Sequence, residues 1–281
     1  MKIQLDCLPC FLNQILKASR GITNDEELQA RILKDTIDII KNYDSYRYAP
    51  EVGRAAHSLL KQYTGIKDPY QKYKQAHLKL ALQYYPDLKQ FLFRKSDRLY
   101  WVLKIAAAGN VFDAAIDQEI KDIGYFEQEL PKEFKICDIE RFKERLKSAK
   151  TMLIVGDNAG ETVFDRVLVE ELLNLKIVYA VRNGPIINDA TIEDAELAGL
   201  NHQARVISTG CDAPGVIRTE CNHEFNKIMN EADIVISKGQ GNYETLSEEK
   251  REIFFLLKAK CPVIANDIGV SLGDYVFLYS G

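Results

Sequence analysis

An α/β protein is predicted: a Rossmann-like, mostly parallel sheet with helices on both faces, preceded by an N-terminal helical bundle. Two textures along the 281 residues carry that prediction. Residues 1 to about 130 place apolar side chains three and four apart among charges, the spacing of helices with one buried face. From about residue 151 the chain changes to short β-branched runs, most of them followed by a stretch long enough for a helix. Such alternation is the pattern of βαβ units and of a sheet covered on both sides. Composition permits either one large domain or two smaller ones, since 46% of residues are apolar and 28% charged.

Taken in order, helices are expected through EELQARILKDTIDIIKNY (26–43) and YQKYKQAHLKLALQYYPDL (70–88), with Pro50, Pro69 and Pro86 marking breaks. The segment ELPKEFKICDIERFKERLKSAK (129–150) is expected to be a charged amphipathic helix after a turn, and it separates a helical domain, 1–130, from an α/β domain, 131–281. Strands are expected at TMLIVG (151–156), KIVYAVR (176–182), ARVIS (204–208), DIVISK (233–238), PVIAN (262–266) and YVFLYS (275–280). There is no internal repeat and no low-complexity tract.

Several function classes are disfavoured at once. Thirty-seven basic against 41 acidic residues give a net charge of −4, without the positive field that draws nucleic acid. Six cysteines are too sparse for a disulfide scaffold and fit a reducing, cytoplasmic setting. The opening MKIQLDCLPC has no apolar targeting core, and the lysines of EIFFLLKAKCPVIA break it well short of a membrane span.

Ligands of an open parallel sheet bind outside the carboxyl ends of its strands, and polar residues gather there. Asp157, Asn158, Gly160 and Glu161 follow the first run; Arg182, Asn183, Asn188 and Asp189 the second; Ser208, Thr209, Gly210 and Asp212 the third; Lys238, Gly239, Gly241 and Asn242 the fourth; Asn266 and Asp267 the fifth. Asp157, Asn158 and Asp189 are hard oxygen donors of the kind that hold Mg²⁺ or Mn²⁺ with positions left for substrate. The competing reading is that each caps the helix that follows. The turns DNAGET, STGCDAPG and SKGQGNYE let backbone N–H groups approach a phosphate, with Gly160, Glu161, Ser208 and Gly210 around it and Lys238 adding a charge. VGDNAG lacks the G-x-G-x-x-G spacing, no Walker loop is present, and the paired D-x-D of an aspartyl phosphoryl acceptor is missing. A metal-activated water is then the economical nucleophile.

Two stretches of the helical half add to this. AAAGNVFDAAI sets Asn110 and Asp113 in apolar surroundings, where they either close the site or begin a helix. Cys7 and Cys10 form a C-x-x-C pair, read as structural thiols or as a metal or redox pair; the four histidines show no ligand spacing.

In order along nearly the whole chain, CLPC, TGIKDPYQKYK, GNVFDAAI, GDNAGET, NDATIEDA, STGCDAPG and ISKGQGNYE resemble the family once called domain of unknown function 89, now described as damage-control phosphatases, and its branch with an N-terminal C-x-x-C. The resemblance implies a helical domain joined to a Rossmann-like domain, and a metal-dependent phosphatase for small phosphorylated metabolites such as sugar phosphates. It implies a cofactor among Mn²⁺, Mg²⁺, Co²⁺ and Ni²⁺ held by Asp157, Asn158 and Asp189. It also implies Lys238 on the phosphate, and Asn110 with Asp113 at the same cleft. One departure is Asp113-Ala114-Ala115, where the family continues from aspartate to phenylalanine and glycine.

The predicted function is therefore a phosphomonoesterase with Asp157, Asp189 and Lys238 as its catalytic set. Whether Asp157 or Glu161 takes the proton from water stays open, as does the oligomeric state, with a homo-oligomer as one outcome. Two competitors are a non-catalytic module that binds a phosphometabolite and an S-adenosylmethionine-dependent methyltransferase, whose glycine-rich loop VGDNAG does not provide.

Overall fold

The computed structural model describes residues 1–109 and 123–281, so Asn110 and Asp113 lie outside the described residues. Its first half is helical: α1 (Cys7–Ile22), α2 (Glu26–Lys41), α3 (Ala49–Thr64), α4 (Gln71–Phe93), α5 (Arg98–Ala108) and α6 (Ile123–Glu129). Asp25 caps α2 by accepting from the Glu27 and Leu28 amides, and Asp97 caps α5 through the Tyr100 amide. α4 runs through Pro86, which breaks nothing, whereas Pro50 stands in the first turn of α3, where a proline lacks no needed N–H.

A seven-stranded sheet makes up the rest: β1 (Phe134–Cys137), β2 (Thr151–Val155), β3 (Lys176–Val181), β4 (Arg205–Ser208), β5 (Ile234–Lys238), β6 (Ile253–Lys258) and β7 (Tyr275–Ser280). Their order is β1-β7-β6-β5-β2-β3-β4, with every pair parallel except β6 with β7. The interleaved helices are α7 (Ile139–Leu146), α8 (Glu161–Glu171), α9 (Ile192–Leu197), α10 (His223–Glu231), α11 (Gln240–Leu246) and α12 (Pro262–Ile268).

Strand periodicity divides the core in two. Met152 and Ile154 of β2 enter one apolar cluster, with α4, α5 and α8; Leu153 and Val155 enter another, with α10, α11 and α12. Helices α1–α3 build smaller clusters of their own, in which Ile15, Ile32 and Leu60 pack with Ile186 and Ile187 of the β3–α9 loop. No helix among the described residues is long and apolar enough to cross a membrane.

Two expected elements are different. PVIAN is the first part of α12, with Pro262 at its start and Gly269 closing it in the left-handed region, so Asn266 and Asp267 sit in a helix and end no strand. The strand is IFFLLK, β6, whose side chains are buried up to Lys258 at its end. The segment 129–150 is not one helix, because Phe134 and Ile136 turn inward between exposed Lys135 and Cys137 and form the edge strand β1 before α7 begins. A four-residue strand leaves too short an alternation to stand out from its charged flanks.

Candidate active site

From β2 the chain runs outward to β3 and β4, then returns to lay β5 on the other flank of β2. The order reverses between β2 and β5, and the crevice beyond their carboxyl ends is where this kind of sheet takes a ligand. Asp157 and Asn158 follow β2 there, and Lys238 ends β5.

None of the three predicted oxygen donors is a helix cap. The N-cap of α8 is Gly160, without a side-chain bond, and α9 begins with a capping box of Thr191 and Asp194. Asn158 and Asp189 instead form an isolated antiparallel bridge between the β2–α8 and β3–α9 loops. The Ala190 N–H donates to the Asp157 carbonyl at 2.7 Å and the Ala159 N–H to the Asn188 carbonyl at 2.8 Å. Ile187, in the turn that delivers Asn188 and Asp189, has φ 44°, a conformation that β-branched residues rarely adopt.

Arg182 binds the two carboxylates from behind. Its Nε donates to Asp189 Oδ2 at 2.6 Å and its Nη2 lies 3.8 Å from Asp157 Oδ1, with the side chain only 1% exposed. Burial works against the guanidinium charge, but Asp189 and Asp157 outweigh it and hold the pKa above its ordinary value. Asn158 spends its amide N–H groups on Asp157 Oδ2 (3.0 Å) and Glu161 Oε1 (2.7 Å), which leaves the amide oxygen as the donor atom for a ligand.

Beneath this layer Lys238 is fully buried. Its Nζ donates to Asp165 Oδ1 at 2.6 Å, Glu161 Oε2 at 2.9 Å and the Ala106 carbonyl at 3.1 Å, and Tyr179 donates to Asp165 Oδ2 at 2.6 Å. Burial disfavours the ammonium, yet Asp165 and Glu161 more than offset it and raise its pKa. Glu161 and Lys238 thus support the Asp157–Asn158 turn from below. Ser208 and Gly210 lie aside: Ser208 Oγ accepts from the Gly210 N–H at 3.0 Å and donates to Asn183, and together they shape the turn into α10.

A cavity of about 320 Å³ opens over Asp157, Asn158 and Asp189. Its far wall is α1, with Cys7, Cys10 and Gln14; Gln240 and Glu244 of α11 and Lys260 and Cys261 before α12 complete it. Gly160, Glu161, Ser208, Gly210 and Lys238 do not line it. The C-x-x-C opens α1, with Cys7 half-buried and Cys10 exposed and neither in a disulfide; burial pushes the Cys7 thiol up, away from easy ionisation. Among the described residues no group of three His, Cys, Asp or Glu is poised to hold a metal ion. Two carboxylates and one amide oxygen at a single cavity are nonetheless a donor set suited to a hard dication.

The sequence puts Arg182 at the ligand-binding edge without showing its role, and does not single out Asp165 or Glu244. Asp165 carries one usable signal, since it stands four residues after Glu161 in ETVFDRVLV, the spacing that puts two acids on one helix face.

A family model for the damage-control phosphatase ARMT1-like domain matches residues 3–276. The chain belongs to that family. An uncharacterized protein of Methanocaldococcus jannaschii is 38% identical over 99% of this chain and 95% of its own length. A damage-control phosphatase of Pyrococcus horikoshii is 36% identical over 98% of this chain and 97% of its own. A damage-control phosphatase of Archaeoglobus fulgidus is 34% identical over 98% of each. The crystal structure of a DUF89 family protein from Pyrococcus horikoshii superposes with a TM-score of 0.91 at 33% identity, covering all of both chains. Family and fold thus agree with the expectation from the ordered motifs.

Proposed function

We propose that this protein is a divalent-metal-dependent phosphatase that hydrolyses small phosphorylated metabolites. One observation carries the reading: Asp157, Asn158 and Asp189, from two loops at the point where the strand order reverses, face one cavity and are held there by the Asn158–Asp189 bridge and Arg182. The relatives named as damage-control phosphatases support the reaction class.

In this reading Asp157, Asp189 and the Asn158 amide oxygen hold a cation such as Mg²⁺ or Mn²⁺. When bound, it supplies Lewis-acid polarisation of the phosphoryl group and activation of water. The chain's own residues supply position. Arg182 fixes the orientation of Asp189 and keeps two close carboxylates from repelling one another. Glu161, held by Lys238, fixes the Asn158 amide so that its oxygen is presented. Direct contact of Lys238 with phosphate would require it to leave one of its three partners; its indirect support of Asn158 needs no such movement.

The test is phosphate release from sugar phosphates and p-nitrophenyl phosphate with Mg²⁺, Mn²⁺, Co²⁺ and Ni²⁺ in turn. Cation-stimulated turnover that falls at least about 100-fold in both Asp157→Asn and Asp189→Asn, with circular dichroism unchanged, is the expected result. Unaltered turnover in both variants refutes the assignment, and binding of phosphorylated ligands without release in the native protein favours a binding module.

A further inference from the structure

Glu244 stands in the same cavity as Asp157 and Asp189, and the reaction described so far has no use for it. Its place follows from the backbone. At Gly239 a Cβ would lie 2.0 Å from Asp157 Oδ2, so α11, which begins at Gln240, starts in contact with that carboxylate. Gln240 and Glu244 are four residues apart, share one face of α11 and both line the cavity. Glu244 therefore stands one helical turn along α11 from Gln240, on the wall of the cavity that also holds Asp157 and Asp189.

The hydrogen bond made by Glu244 runs through its backbone carbonyl to the Met1 amino group, and its side chain has no hydrogen-bond or ion-pair partner among the described residues. The Met1 amino group, Cys7 and Cys261 act on it directly, and the other charged or titratable groups lining the cavity with it are Asp6, Cys10 and Lys17 on the α1 side, Lys260 before α12, and Asp157 and Asp189 at the strand ends. From α3 the cavity receives Ala49, Pro50 and Gly53, which do not titrate. Burial pushes the Glu244 carboxyl up to about 8 against the opposing pull of the amino terminus, so it carries its proton at neutral pH.

We propose that Glu244 is the catalytic acid that protonates the leaving oxygen of the phosphate ester, an inference that rests on the phosphatase reading. As the bond from phosphorus to the ester oxygen breaks, its electron pair stays on that oxygen, which takes the Glu244 proton and departs as an alcohol. The attacking water forms the new bond to phosphorus and gives one proton to solvent. Glu244, left as a carboxylate, regains a proton from solvent before the next turnover.

Leaving groups of different basicity test this. An alkoxide needs the proton; p-nitrophenolate does not. Glu244→Gln is expected to lose about 100-fold or more on a hexose phosphate and less than about 3-fold on p-nitrophenyl phosphate. The alkaline limb of the hexose phosphate pH profile is expected to vanish with it, and Glu244→Asp to recover part of the rate. An equal loss on both esters, or no loss on either, overturns the inference and leaves the phosphatase reading standing. A native enzyme that releases phosphate from neither ester with any cation overturns both.

Discussion

Gly239 adopts φ 74° with the Asp157 carboxylate packed against the place where a side chain would begin. Gly239→Ala therefore has to displace Asp157 and to hold a backbone conformation that is essentially glycine's alone (φ 74°, ψ 164°), which costs about 1–3 kcal/mol for the backbone. Because misplacing a catalytic group by about 1 Å can cost 10²-fold, cation-stimulated phosphate release should fall by roughly that factor while the protein still unfolds cooperatively. Parallel activity and thermal denaturation measurements would show it. The positions of Asp157, Asn158 and Asp189 at the cavity were legible in the sequence because a parallel sheet takes its ligands beyond the carboxyl ends of its strands, and these residues follow two such runs. Arg182 was legible in position but not in role, and Glu244 in neither: an arginine at a strand end and a glutamate in a helix look solvated until another loop or helix covers them. Lys238 was legible in position but not in environment, since its partners Asp165 and Ala106 are distant in sequence.

Elements show where local pattern prevails and where tertiary context does. The central parallel strands β2, β3 and β5 were legible because burial on both faces makes them almost wholly apolar, and β4, at the edge, through its Val206-Ile207 pair. β1 at the edge was masked by its lysine, and α12 by a Pro-Val-Ile run that resembles a strand until the flanking Pro262 and Gly269 are weighed as start and stop. Helix α3 carries a pH dependence of its own. His57 is buried against Tyr70, and burial lowers its pKa from 6.5 to about 3. The folded state thus resists the proton that the unfolded chain accepts below about 6.5, and stability falls as pH drops through that window. Between pH 7 and pH 5 this one group should cost about 2 kcal/mol. Urea denaturation at both pH values should find the acid loss smaller by about that amount in His57→Leu; an identical loss would contradict the assignment.

At the scale of the molecule, the cavity is made by separate parts of the chain: loops at the sheet's carboxyl edge give the oxygen donors and α1 gives the opposite wall. The α/β class was legible from the change of texture near residue 151, but no local pattern shows which helix folds back over the strand ends, because that is decided by packing between distant segments. If the donors share one dication, its binding stabilises the whole fold by linkage, about 2.7 kcal/mol at a hundredfold excess over Kd. Thermal scans with Mn²⁺ should then show a rise of about 5 °C or more, absent in the Asp157→Asn, Asp189→Asn double variant.

Ile187 gives that assembly a further property. A β-branched residue at φ 44° persists only where its surroundings leave it no alternative, and here its buried side chain is wedged among Ile15, Ile32 and Leu60 of the helical layer. The loop bearing Asp189 is in consequence stiff before anything arrives, so an incoming guest meets a finished receptacle and little chain entropy is surrendered on association.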